Sequence, residues 1–549
     1  MQSSRSQFFL ALTIIAALLL SACADKKTPQ GEVTYNNTKT SNTNAGVVSD
    51  KTMSAQPTPN MQEGGRREDF EGNTEAYSHI DENPFLEAAR APLSTFSIDV
   101  DTASYSNTRR FLKDGQLPPK DAVRIEELVN YFSYDYPQPV GDAPFSVTAE
   151  ISEAPWNTSH RLVHIGLQGK RIPTANMPPA NLVFLIDVSG SMNEPNKLPL
   201  VQSSMKVLTE QLTSRDRVAM VVYAGSSGLV LPSTSGERKG EILAAIDRLE
   251  AGGSTNGGDG IQLAYKIAQE NFIKGGVNRV ILATDGDFNV GVTSEGDLVR
   301  LIEEKRQSGV FLSVLGFGTG NVKDSTMEKL ADKGNGNYAY IDSNAEARKV
   351  LGEQIGGTLF TIAKDVKIQV EFNPKQVAAY RLIGYENRLL RDQDFNDDTK
   401  DAGEIGAGHT VTALYEVVPY GQKFENAGVD PLKYQQPVKP SEMANSNELM
   451  TVKLRYKEPT QDQSKLVSVS LADSKAKLDT ASENFKFSSA VAAFGMLLRD
   501  SKYKADASYN KVLELARAST GADPQGYRSE FIQLVETARM LSSHRVSRD

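Results

Sequence analysis

At 549 residues the chain exceeds what one hydrophobic core supports and should hold two to four domains. Its 39% hydrophobic and 23% charged residues match a globular protein with some polar tail. The formal charge of -9, with no long basic run, excludes a nucleic-acid binder.

The N-terminus reads as an export signal. Arg5 precedes the apolar run Phe8–Leu20, which is short of the roughly 20 residues a bilayer needs but suits a signal h-region. The run leads into Leu20-Ser21-Ala22-Cys23, and Cys23 is the single cysteine, so no intramolecular disulfide is open to it. LSAC resembles the bacterial lipobox, in which the cysteine becomes the acylated first residue of the mature protein. The alternative is an ordinary signal peptide with a cysteine at its cleavage site. Loss of residues 1–22 removes Arg5 as its one charge and takes the formal charge to -10. Two or three acyl chains, palmitate among them, anchor stably where one is marginal. Ala24 beside the cysteine is similar to the sorting signal of Gram-negative outer-membrane lipoproteins, facing periplasm or exterior. No second membrane segment follows.

Residues 23–91 form the lipidated cysteine and a tether. From 24 to about 85 the composition is Asn, Thr, Ser, Gly, Gln and charge, too polar to offset ordering entropy. Such a tether has a root-mean-square reach of roughly 45 Å. An N-terminal α+β segment, 92–180, follows. Ser94–Val100 alternates as a strand, while Tyr105–Lys113 and Asp121–Phe132 carry apolar residues at helical spacing. Phe145–Ile151 and Leu162–Leu167 read as strands around the one tryptophan, Trp156.

Residues 181–356 alternate apolar strands with amphipathic helices. The strands are Leu182–Ile186, Val218–Tyr223, Arg279–Ala283, Phe311–Phe317 and Tyr338–Ile341. The helices are Leu198–Leu212, Glu237–Leu249, Gly258–Phe272, Ser294–Gln307, Asp324–Asp332 and Ala345–Gln354. Near-continuous apolar strands separated by helices predict an α/β, doubly wound parallel sheet covered on both faces. Alternating β segments return at 365–475. Two strands before the block and about five after it predict a β-sandwich with the α/β domain inserted. Residues 483–549 are helical by spacing and predict a C-terminal helical unit.

The stretch NLVFLIDVSGSM (181–192) ends a buried strand with a carboxylate and two hydroxyls. Ligands of open α/β sheets bind beyond the carboxyl ends of the strands, and two more polar loops, GGSTNGGDG (252–260) and ATDGDFN (283–289), occupy equivalent places. The set resembles the metal-ion-dependent adhesion site, DxSxS…T…D, of von Willebrand factor type A domains: Asp187, Ser189, Ser191, Thr255 and Asp285. By that resemblance Ser189, Ser191 and Thr255 coordinate the ion through hydroxyls, and Asp187 and Asp285 hold coordinated waters. Neutral oxygens leave a divalent cation short of negative charge, so it takes a carboxylate from a partner. All-oxygen ligation suits Mg²⁺ or Mn²⁺, with Ca²⁺ also admissible. Against this stands the plain reading in which each loop caps the next helix. Asp287 is the alternative to Asp285, and Asp259 reads as a first-turn helix charge.

Catalytic readings are weaker. The glycine-rich loop lacks the GK[ST] of a phosphate loop. FSIDVDTA (96–103) is similar to an aspartyl-phosphate motif with Asp99 as nucleophile, but Ala103 departs from it, and Asp101 or Thr102 reads better as a helix cap. The five histidines (79, 160, 164, 409 and 544) all lie outside the α/β block, which leaves Ser189 without a triad base. The wider arrangement resembles a bacterial lipoprotein family: a von Willebrand factor N-terminal segment, the A domain, and a C-terminal domain of undefined function. The expectation is a membrane-anchored, non-enzymatic module binding a protein partner's Asp or Glu through the ion. Alternatives are an envelope scaffold with a stabilising ion and a metallophosphatase.

Overall fold

The computed structural model describes residues 74–253, 257–286, 294–424, 433–434 and 439–546. The export signal, Cys23 and most of the predicted tether lie outside these. The described residues begin at 74, inside the stretch whose polar composition reads as tether. Thr74 and Ala76 donate their backbone N–H groups to the carbonyls of Gly320 and Val322 at 2.8 and 3.0 Å. The buried Asn83 amide donates to the carbonyls of Leu382 and Gly384. Backbone pairing and polar anchoring order this segment, and neither leaves a hydrophobic signature.

The N-terminal segment comprises β1 (Leu86–Glu87), β2 (Leu93–Ser97), α1 (Ala103–Lys113), α2 (Ile125–Asn130), β3 (Phe145–Ala154) and β4 (Asn157–Gly169). The inserted domain runs β5 (Ala180–Asp187), α3 (Leu198–Gln211), β6 (Arg217–Tyr223), β7 (Ser227–Ser235), α4 (Lys239–Asp247), α5 (Gly257–Glu270), β8 (Val277–Thr284), α6 (Glu295–Arg306), β9 (Phe311–Gly316), α7 (Asp324–Lys333), β10 (Tyr338–Tyr340), α8 (Asn344–Arg348) and α9 (Ile355–Leu359). Its sheet order is β10-β9-β8-β5-β6-β7, parallel except for β7, which returns antiparallel on β6. Central β5 is buried along its whole length. Leu182, Phe184 and Ile186 face one core with α3 and α4, while Val183 and Leu185 face the other with α5, α6 and α7. This is the doubly wound sheet expected of near-continuous apolar strands. β7 went unpredicted because SGLVLPSTS is a polar edge strand interrupted by proline, a residue that edges tolerate.

The chain then forms β11 (Thr361–Phe372), β12 (Val377–Ile383), β13 (Gly403–Gly406), β14 (Thr410–Pro419), β15 (Glu448–Lys457) and β16 (Lys465–Ala472). One sheet is β1-β12-β14-β4-β3; the other is β13-β11-β15-β16, with β2 also on β11. They enclose one core that includes Val163 and Ile165 of β4, Ile368 and Val370 of β11, and Tyr415 of β14. The sandwich is therefore interrupted between β4 and β11 by the α/β domain, as predicted, with more strands on each side than the sequence suggested. The C-terminal helices α10 (Glu483–Arg499), α11 (Tyr509–Ala518) and α12 (Tyr527–Val546) share a core with Tyr105, Leu128 and Trp156 of the N-terminal segment.

The inserted domain meets the sandwich where α9 passes β13. A Cβ on Gly406 would lie 1.9 Å from the Gly357 carbonyl oxygen, a backbone atom that cannot swing away. Gly406→Ala should cost about 1–3 kcal/mol or more, the range for overpacking a fixed contact. The urea midpoint measures it, and an unchanged midpoint contradicts the close approach.

Candidate metal centre

In the inserted sheet the order reverses at β5: β6 lies on one side and β8 on the other. The carboxyl ends of β5 and β8 therefore flank the crevice where ligands of such sheets bind. Asp187 closes β5 and Asp285 directly follows β8. Asp187 is fully buried. Its Oδ1 accepts the Ser189 N–H at 2.9 Å, and its Oδ2 accepts the hydroxyls of Tyr223 and Thr284 at 3.2 and 3.3 Å. Burial pushes this carboxyl up to about 6, against those lowering hydrogen bonds from Ser189 and Tyr223 and helped by the nearby Asp285 charge.

The Ser189 and Ser191 hydroxyl oxygens lie 3.1 Å apart. Ser189 precedes a short 3-10 turn, Gly190–Asn193, yet its side chain does not cap it. The capping reading of this loop thus fails. The loop 252–253 joins the rim, since Gly190 N–H donates to Gly253 O and Gly252 N–H to Val188 O. Thr255 and Asp287 lie outside the described residues. Asp259 sits in the first turn of α5, as expected.

Asp285 carries a partner the sequence analysis missed. The Lys197 ammonium is 3.1 Å from its Oδ2 and 3.4 Å from Asn321 Oδ1. Burial raises the Asp285 carboxyl, but hydrogen bonds from Asn321 and Ser191 and the Lys197 charge outweigh it and leave it below the usual range. Gly318 makes room: a Cβ there would meet the Lys197 stem at 2.5 Å. A signal was present, because Lys197 immediately precedes α3, where the helix dipole disfavours a cation unless a carboxylate holds it.

The described donor set fits a hard divalent cation. It offers paired hydroxyls free of capping duty, two buried carboxylates, and oxygen atoms throughout. Ser189 and Ser191 would hold the ion, with Asp187 and Asp285 behind them. Two other acidic groups cluster elsewhere, Asp99/Glu127/Glu328 and Asp365/Asp401/Glu404. Thr102 occupies the N-cap position of α1 but makes no side-chain cap bond, and Asp101 accepts the Tyr338 N–H and faces Arg388.

The chain matches the family models for the von Willebrand factor type A domain over residues 181–354, for von Willebrand factor over 71–164, and for the C-terminal part of the uncharacterized protein YfbK over 357–541. The fold and these matches define a protein built around a von Willebrand factor type A domain. Uncharacterized protein YfbK of Escherichia coli (strain K12) is 47% identical over 475 residues, 85% of this chain and 81% of that one. The chain belongs to the YfbK family. Inter-alpha-trypsin inhibitor heavy chain H4 of Homo sapiens is 30% identical over 180 residues, 31% of this chain and 18% of that protein. Among solved structures, "von Willebrand factor type A from Catenulispora acidiphila" aligns with 69% of this chain and 87% of its own at 17% identity, with a TM-score of 0.39.

Proposed function

We propose that the chain is an envelope lipoprotein, anchored through acylated Cys23 in the outer membrane, that binds a protein partner through a divalent cation, Mg²⁺ first. Ser189, Ser191 and Thr255 hold the ion, Asp187 and Asp285 hold its waters, and an Asp or Glu of the partner completes its shell. The observation that carries this reading is the pair of hydroxyls 3.1 Å apart at the switch point, free of capping and backed by two buried carboxylates. Uncharged donors leave most of the ion's charge to attract an incoming carboxylate. Crosslinking pull-down from membranes tests the reading. A partner retained in Mg²⁺ and lost in EDTA is expected. A partner retained in both, with EDTA lowering only the melting temperature, favours a scaffold with a stabilising ion.

Lys197 sets the affinity. Its ammonium competes for Asp285 and repels the incoming ion. Lys197→Met should bind Mg²⁺ roughly tenfold or more tightly, since a unit charge a few ångströms away is worth kcal/mol in a partly buried site. Without metal the variant should melt lower, because Asp285 loses its cation. Calorimetry with weaker Mg²⁺ binding in the variant refutes the competing role.

A further inference from the structure

Helix α7 meets the rest of the molecule through an ionic cluster that the metal centre does not use. Asp324, Glu328 and Asp332, spaced four residues apart, form one face of α7. Opposite them stand Asp99 and Asp101 after β2, Arg124 and Glu127 at α2, Asn387 and Arg388 after β12, and Tyr338 of β10. Arg124 pairs with Asp324 and Glu127, and its Nη1 lies 3.8 Å from Glu328. Arg388 reaches Asp99 at 3.0 Å, Glu328 at 3.3 Å, Asp101 at 3.4 Å and Asp332 at 2.5 Å. Asn387 donates to Glu328, and the Tyr338 hydroxyl to Asp324 at 3.1 Å. Lys333 and the buried Glu404 also act on Asp332, and the buried Glu126 on Asp99.

The count does not balance. Six carboxyl groups face two guanidiniums, and five of the six (Asp99, Asp101, Glu127, Asp324, Glu328) are buried. Oxygens of Asp99, Glu127 and Glu328 lie within 4.8 Å of one another. Carboxylates so close in a low-dielectric seam cannot all ionise; some must share protons. We propose that this seam is a proton-dependent latch, in which shared protons between α7 and the α2/β2 side hold the inserted domain to the body, and their loss loosens α7.

Burial, outweighing the Arg124 charge, pushes Glu127 up to about 8 and Glu328 up to about 7; burial and the Asp99 charge, outweighing Arg388, raise Asp101 well above its usual range. The sign follows. A carboxyl raised in the folded state favours folding fully below its unfolded value near 4.5, and loses that contribution as pH climbs through 7 to 8. Helix α7 begins three residues after Asn321, which contacts Lys197. The latch therefore supports the loop beside Asp285.

Hydrogen exchange of the full chain in EDTA, at pH 6 to 9 and corrected for intrinsic rates, tests the proposal. Opening of α7 should grow by up to about tenfold per pH unit for each proton released between pH 6 and about 8, and level off towards pH 9 once the folded carboxyls have ionised as well, while α6 stays flat. Glu328→Gln, or Asp332→Asn if the first does not fold, should reduce that slope by about one proton. Equal slopes in α7 and α6, or a variant matching the parent, overturn the proposal. So does recovery of α7 protection at pH 9 on adding Ca²⁺ to the Ser189→Ala/Ser191→Ala protein, since an ion would then be the neutralising species.

Discussion

Replacing Ser189 and Ser191 together by alanine should weaken Mg²⁺ and Mn²⁺ binding by about 100-fold or more while leaving the melting temperature of the metal-free protein nearly unchanged. Changing residues one shell behind a metal already costs 10–100-fold, and these two hydroxyls are the proposed direct donors. Stability should survive for a specific reason. The hydroxyls bond each other, and removing both partners of a hydrogen bond is close to neutral, whereas removing one orphans the other; Asp285 loses its Ser191 bond but keeps Asn321 and Lys197. Asp187 keeps its bonds from the Ser189 backbone, Tyr223 and Thr284, so the rear of the site stands. Calorimetry and thermal unfolding read the two halves separately. Unchanged affinity contradicts the ligand assignment; a collapsed melting temperature contradicts the view that the loop is built for the ion.

The second large effect concerns Arg109, which ties three parts of the chain together. From α1 its Nε donates to Asp342 at 2.7 Å, its Nη2 to Glu346 at 2.7 Å, and its Nη1 to the Tyr131 hydroxyl at 2.8 Å and to Glu530 of α12 at 3.1 Å. Arg109 and Glu346 are buried. Arg109→Met removes the cation and strands carboxylates in the interior, a loss of about 3–5 kcal/mol. Burial raises Glu346, but Arg109 outweighs it and holds this carboxyl below its usual range. Glu346 therefore contributes stability above its unfolded value near 4.5. Without Arg109 it should take up a proton, so the defect should be largest near pH 8 and partly relieved near pH 5.5. Urea midpoints at both pH values check this, and a defect independent of pH contradicts it.

The sequence made the inserted domain legible because fully buried parallel strands show continuous apolar runs. β5 reads ANLVFLID, and every one of its residues is buried. The site was legible as far as its loops follow those strands, which placed Asp187, Ser189, Ser191 and Asp285 at one rim. Lys197 escaped because its partner lies 88 residues away; its place just before α3 signals that a carboxylate holds it but not which one. The ordering of residues 74–91 escaped because it rests on backbone bonds and on Asn83. The α7 cluster escaped because Asp99 and Asp101 read locally as a motif or a cap. Their true partners, Arg388 and Tyr338, come from distant strand ends.

A crystal grown in millimolar Mn²⁺ and measured at the manganese edge tests the central claim most directly. One strong anomalous peak bonded to the Ser189 and Ser191 hydroxyl oxygens, between the ends of β5 and β8, is expected. No peak there, or a peak held instead by Asp99, Glu127 and Glu328, contradicts it.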